Sequence, residues 1–184
     1  MVVGRQDALD EFHRVALVVD GQYPGAAHGD SIDCPRVASN GPSGLSVVFE
    51  DEAVIALSKP VGQPTIPGRG EVGRSLITQL EEDRGAKFFI VHRLDREASG
   101  LVIFAKDAET HRRLCVEFEA RRVKKIYLAA VAGRMEGEGR ITQPLREFGS
   151  GRMAPSPEGK PSVTLWSVER VLGGATLLRV ETRT

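Results

Sequence analysis

The chain has few of the features that indicate a secreted, metal-binding or membrane protein. Only two cysteines occur in its 184 residues, Cys34 and Cys115, and neither has a partner at metal-ligand spacing. Isolated thiols are typical of a reduced intracellular protein, and a disulfide is the less favoured alternative. No apolar run approaches the ~20 residues that a membrane helix needs. The N-terminus also lacks the basic start and apolar block of a signal peptide. We therefore predict a cytoplasmic protein without a metal site or a membrane segment.

Net charge is also absent, because 25 basic residues balance 25 acidic ones. The overall charge therefore does not favour nucleic-acid binding, and any basic surface must be local. One such excess lies between His92 and Lys125, where Lys and Arg number nine and Asp and Glu six. This excess suits a surface that faces phosphates. For Arg112 and Arg113, an ordinary solvated helix face is an equally good interpretation.

The first 44 residues differ in composition from the rest. Asp7–Val19 has the apolar spacing of a short amphipathic helix. Gly21–Gly44 is dense in Gly, Pro, Ser, Asn and Asp, which predicts irregular chain. His13 and His28 have no convergent ligands there, so we interpret them as surface histidines. We predict an N-terminal extension over residues 1–44 and one domain over residues 45–184.

The predicted domain is α+β, with mainly antiparallel strands in a mixed sheet and interleaved helices. Short apolar runs bounded by turn residues predict strands. These strands are Leu45–Phe49, Ala53–Leu57, Phe88–Val91, Leu101–Ala105, Lys124–Gly133, Val163–Val171 and Ala175–Thr182. The polar turn Glu50-Asp51-Glu52 predicts that the first two form a hairpin. Helical spacing predicts one helix over Ser75–Asp83 and a second after Asp107, a good N-cap residue. We expect Cys115 to face the core from the second helix, and Trp166 to pack in its strand.

The stretch His92–Lys106 combines a charged loop with a buried strand. Asp95 lies between Arg93 and Arg96, and nearby cations favour an ionised carboxylate. An ionised carboxylate held on a surface loop can act as a nucleophile or a base. The alternative is a turn residue that hydrogen-bonds its own backbone.

Three sequence segments resemble the motifs of the RluA-type pseudouridine synthases. The long central one is His92-Arg93-Leu94-Asp95, followed by Ser99-Gly100-Leu101 and Ala105-Lys106. Ala98 stands where the family usually has Thr. The other two are Lys59-Pro60-Val61-Gly62 and the Lys-x-Tyr-x-Ala-x-Val-x-Gly pattern from Lys125 to Gly133. The resemblance extends over roughly residues 45–184.

This resemblance implies that the chain isomerises uridine to pseudouridine in ribosomal or transfer RNA, with Asp95 as the catalytic carboxylate. It also implies a substrate-binding set of Arg93, Tyr127, His92 and Lys125. Without the resemblance, Tyr127 would be interpreted as a core residue. Pseudouridylation transfers no electrons and no phosphate, so we predict no cofactor and no metal. The expected partner is RNA, and we expect a monomer when the chain is complete.

The family's strand corresponding to Ala175–Thr182 runs into a Gly-Arg-x-His-Gln-Ile-Arg-like segment that this sequence does not contain. We therefore expect an incomplete pseudouridine synthase fold in which the Ala175–Thr182 strand lacks its sheet neighbours. The main alternative function is a non-catalytic RNA-binding remnant of the same family. A glycosidase-like hydrolase is less favoured, because no second acid or base is placed for it. The sequence leaves open the target uridine, the chemical route and the role of residues 1–44.

Overall fold

A computed structural model of the chain describes residues 16–17, 44–68, 74–149 and 152–183. Its strands are β1 (Ala16–Leu17), β2 (Val47–Glu50), β3 (Val54–Lys59), β4 (Phe89–Ile90), β5 (Gly100–Ala105), β6 (Lys125–Ala132), β7 (Glu138–Thr142), β8 (Leu145–Phe148), β9 (Arg152–Pro155), β10 (Val163–Leu172) and β11 (Ala175–Thr182). Its helices are α1 (Leu76–Arg84) and α2 (Ala108–Glu119). Every strand pairing in these described residues is antiparallel, which confirms the predicted α+β class.

The chain divides into two compact units. One unit comprises residues 1–17 and 121–184, and the other comprises residues 18–120. The predicted boundary at residue 44 stays a prediction, because residues 18–43 lie outside the described residues. The same holds for Cys34, His13 and His28.

The 18–120 unit contains a four-stranded sheet in the order β2-β3-β5-β4. The predicted hairpin at its edge is confirmed, since β2 pairs with β3 across a turn centred on Asp51. The Asp51 Oδ1 accepts hydrogen bonds from the Ala53 N–H at 2.8 Å and the Val54 N–H at 2.7 Å. The fully buried apolar side chains of this unit include Ile55, Leu57, Val102 and Phe104 on the sheet and Leu80 on α1.

Both predicted helices are present, and a side chain caps each at its first turn. The Ser75 hydroxyl accepts a hydrogen bond from the Thr78 N–H at 3.3 Å. The predicted cap at Asp107 is confirmed, because its Oδ1 accepts from the Thr110 N–H at 2.8 Å. Helix α2 contains no fully buried residue. Cys115 is accordingly only half-buried, less deeply packed than predicted.

The other unit contains a five-stranded sheet in the order β1-β6-β11-β10-β7. Strand β6 has a neighbour on each side, as its apolar sequence predicts. Trp166 packs against the buried cluster of this sheet, which confirms its predicted role. A Cβ at Gly139 would lie 2.7 Å from the Trp166 ring, so only glycine fits beneath the indole.

The structure corrects two predictions. Strand β11 has sheet neighbours on both sides, because it pairs with β6 and with β10 along its length. The expected unpaired Ala175–Thr182 strand was therefore wrong. Ala16 and Leu17 belong to β1, opposite Ala130 and Ala129, and not to a helix. Tertiary pairing overrides a short helical pattern there, and the rest of that predicted helix lies outside the described residues.

Candidate active site

The loop between β4 and β5, residues 91–99, presents Asp95 at the surface. The residue before it is fixed by Thr65, which lies on the loop after β3. The Thr65 hydroxyl donates to the Leu94 carbonyl oxygen at 2.8 Å and accepts from the Leu94 N–H at 3.2 Å. Thr65 and Leu94 are both buried. The backbone entering Asp95 is therefore held by a buried side chain from a distant segment.

The residues after Asp95 are held as well. The Gly62 N–H donates to the Arg96 carbonyl oxygen at 2.7 Å, and the Arg96 Nε donates back to the Gly62 carbonyl oxygen at 3.0 Å. Gly62 has a φ of 84°, a conformation that favours glycine. The Ala98 N–H donates to the Asp95 carbonyl oxygen at 3.1 Å, which closes a turn on a buried alanine. These contacts fix the Asp95 backbone while its side chain stays exposed.

Lys59, the last residue of β3, joins the two loops from inside. Its side chain is fully buried. Its Nζ donates to the carbonyl oxygens of Pro60 at 3.0 Å, Gln63 at 2.7 Å and Arg96 at 3.3 Å. Burial lowers the pKa of Lys59, and the nearby carboxylates of Glu97 and Asp95 partly oppose this by favouring the charged form. A buried ammonium thus supports the loop that carries the exposed carboxylate.

Lys59 was predicted only as part of the Lys59-Pro60-Val61-Gly62 motif and not as a residue of the site. A signal was available in the alternation of β3, in which Ile55, Leu57 and Lys59 share one face of the sheet. A lysine at the buried end of such a face must find hydrogen-bond acceptors. Those acceptors are backbone carbonyls of two loops, which a side-chain pattern does not reveal.

His92 and Arg93 begin the same loop. The His92 Nε2 accepts a hydrogen bond from the Ile103 N–H at 3.1 Å. Its ring stacks on Phe118 of α2, with centroids 4.9 Å apart. These contacts are internal to the 18–120 unit, so the predicted contact of His92 with substrate stays a prediction. Arg93 is exposed, two residues before Asp95, and its predicted role is likewise untested.

Tyr127 and Lys125 lie on β6 in the other unit. Tyr127 is opposite Val180 and Lys125 is opposite Thr182 in the register with β11. The Tyr127 ring is half-buried against the cluster that includes Ala129 and Leu178. Their assignment as substrate-binding residues stays a prediction.

No group of three or more His, Cys, Asp or Glu side chains in the described part of the chain is arranged to hold a metal ion. Neither described helix has the length and apolar character needed to cross a membrane.

Comparison with known proteins gives matches over most of the chain. A family model described as RNA pseudouridylate synthase matches residues 53–184. Ribosomal large subunit pseudouridine synthase D of Nitrosomonas europaea is 33% identical over 147 residues, which cover 76% of this chain and 43% of that protein. The dual-specificity RNA pseudouridine synthase RluA of Vibrio parahaemolyticus is 37% identical over 129 residues, which cover 67% of this chain and 51% of that protein. The chain thus spans about half the length of these relatives.

Solved structures show the same fold. Human RNA Pseudouridylate Synthase Domain Containing 1 superposes with a TM-score of 0.64 at 23% identity, covering 77% of this chain and 60% of that chain. Human RNA Pseudouridylate Synthase Domain Containing 4 gives a TM-score of 0.60 at 22% identity, covering 75% of this chain and 59% of that chain.

Proposed function

This chain belongs to the RNA pseudouridylate synthase family, and we propose that it carries the catalytic loop of an enzyme that isomerises uridine to pseudouridine in RNA. One observation carries the proposal: the exposed Asp95 carboxylate stands on a backbone fixed from both sides by Thr65, Gly62 and Lys59. The matched relatives are named for ribosomal and transfer RNA, which supports these two substrate classes. A cytoplasmic location and a monomeric state are part of the same proposal.

The proposed reaction breaks the bond between N1 of uracil and C1′ of the ribose, and forms a bond between C5 and C1′. The base loses its C5 proton and gains a proton at N1, so atoms and charge balance within the substrate. An ionised Asp95 can attack C1′ or remove a ribose proton. Both routes need an unprotonated carboxylate that the sugar can reach. A fixed backbone reduces the entropy lost when the carboxylate is aligned with the sugar.

The other predicted residues receive roles in the same proposal. Arg93 is exposed beside the catalytic loop and can contact an RNA phosphate. Lys125 supplies a second cation that can contact the phosphates of the RNA backbone. Tyr127 can stack on the uracil, since an enzyme acting on a base must take it out of its stack. His92 lies at the start of the Asp95 loop, where it can contact the substrate.

The test compares two carboxylates of one loop. Asp95→Asn removes the proposed nucleophile or base, and Glu97→Gln makes the same change of charge two residues away. Both variants are made in the parent polypeptide, defined as the longest naturally occurring polypeptide that contains residues 1–184. Pseudouridine is mapped chemically in ribosomal and transfer RNA transcripts, and RNA affinity is measured beside it.

We expect Asp95→Asn to abolish product while RNA affinity is kept, and Glu97→Gln to retain most of the product. Wild-type product from Asp95→Asn would contradict the assignment. A parent polypeptide that binds these RNAs but forms no pseudouridine would favour the non-catalytic RNA-binding alternative.

A further inference from the structure

His92 lies where strand β4 stops pairing with β5. The described register joins Phe89 to Ala105 and Ile90 to Phe104, and ends there. The next residue of β5, Ile103, donates its N–H to the His92 Nε2 at 3.1 Å. A side-chain nitrogen thus takes the place of the carbonyl that a continued ladder would supply. The imidazole ties the start of the Asp95 loop to the sheet.

This contact defines the protonation state of His92. A ring nitrogen that accepts from an N–H carries no proton, so His92 is neutral with its proton on Nδ1. His111 on α2 has different neighbours. Its Nε2 lies 3.0 Å from the Ile90 carbonyl oxygen and 3.3 Å from the Cys115 Sγ, and a protonated Nε2 can donate to either atom. Protonation would therefore preserve the His111 contact and break the His92 contact.

We propose that neutral His92 is a positioning residue for Asp95, and that its protonation releases the entrance of the loop. This inference rests on the proposed function, because it assumes that Asp95 performs the chemistry. Protonated Nε2 would present an N–H to the Ile103 N–H, so the bond that holds the loop to β5 would be replaced by repulsion. The ring would no longer hold the loop to β5, and Asp95, three residues along the chain, would lose one of its supports.

The ionisable side chains of the elements around His92 come from the loop itself and from α2. Strands β4 and β5 contain no ionisable side chain. On α2, whose Phe118 stacks on the ring, and on the loop itself, the ionisable residues are Glu109, His111, Arg112, Arg113, Cys115, Glu117, Glu119, Arg93, Asp95, Arg96 and Glu97. Histidine is the side chain whose charge ordinarily changes between about pH 5 and 8. His111 is therefore the control that an acid-sensitive His92 requires.

Three variants of the parent polypeptide separate the properties of His92. His92→Gln supplies an amide oxygen that can accept from Ile103 but cannot titrate. His92→Phe keeps a ring for Phe118 but removes the acceptor. His111→Gln removes the other imidazole. For each protein, kcat for pseudouridine formation and RNA affinity are measured between pH 5 and 8. The protection factor of the Ile103 amide is measured by hydrogen exchange over the same range.

We expect kcat and Ile103 protection of the wild type to fall together as the pH decreases. The kcat of His92→Gln should no longer fall as the pH decreases, and at pH 8 it should lie between those of the wild type and His92→Phe. The kcat of His111→Gln should still fall as the pH decreases. His92→Phe should lower kcat about ten- to a hundredfold at every pH, with RNA affinity nearly unchanged and Ile103 unprotected.

The proposal is wrong if the kcat of His92→Gln still falls as the pH decreases, or if that of His111→Gln does not fall. It is also wrong if His92→Phe retains the wild-type rate. Ile103 protection does not depend on turnover. If Asp95→Asn remains active, the proposed function is contradicted. A loss of Ile103 protection at low pH would even then support the role of His92 in holding the loop.

Discussion

A single hydroxyl, that of Thr65, forms both backbone hydrogen bonds of Leu94. It donates to the carbonyl oxygen at 2.8 Å and accepts from the N–H at 3.2 Å, across 29 residues of sequence. Both residues are buried, so no water replaces this contact readily. A side chain of the loop after β3 thereby supplies both hydrogen bonds that a neighbouring strand would supply to Leu94.

The first prediction concerns this contact. Thr65→Val has nearly the same shape but leaves the N–H and carbonyl of Leu94 unpaired, so we expect a loss of about 1–3 kcal/mol in the free energy of unfolding. Thr65→Ser keeps the hydroxyl and loses one methyl group, so it is the matched control. Urea unfolding measures both. A Thr65→Val protein as stable as Thr65→Ser would show that the hydroxyl adds little.

The second prediction concerns the pH dependence of stability near Lys59. Burial lowers its pKa in the folded state from an ordinary value of 10.5. Between the lowered and the ordinary value, the unfolded chain binds more protons than the folded one. The free energy of unfolding therefore increases with pH in that window.

Lys59→Met should lack this contribution, so its free energy of unfolding should rise less steeply as the pH approaches 10.5. Lys87→Met, which removes an exposed ammonium, controls for the change in net charge. Urea titrations at several alkaline pH values measure the slope. Equal slopes of the free energy of unfolding against pH for Lys59→Met and the wild type would mean that folding does not lower the pKa of Lys59.

The third prediction separates the two interpretations of Tyr127. Tyr127→Phe keeps the ring that packs against Ala129 and Leu178, and Tyr127→Ala removes it. If the ring stacks on uracil, Tyr127→Ala should reduce pseudouridine formation far more than it reduces thermal stability, and Tyr127→Phe should retain most of both. Losses of activity that only parallel the losses in thermal melts would support a purely structural role.

The hairpin and the helix cap at Asp107 could be predicted because their causes are local. Strand β2, the polar turn at Asp51 and strand β3 are adjacent in sequence, and the Asp107 side chain accepts from an amide three residues away. Asp95 was assigned as the catalytic carboxylate because one continuous motif carries it, and that assignment stays a prediction. The family was also recognised from motifs whose residues lie close together in the chain.

Only the tertiary structure decided how the loop is held and that β11 has a neighbour on each side. Leu94 bonds Thr65, Lys59 bonds Arg96, and His92 bonds Ile103, and each partner is chosen by the folding of separate segments. Strand β11 lies between β6 and β10, although the sequence predicted that it would lack neighbours. Strand periodicity indicates which face of a strand is buried, but both edges of a strand carry similar backbone groups. The pairing of those edges therefore depends on topology, which local sequence does not specify.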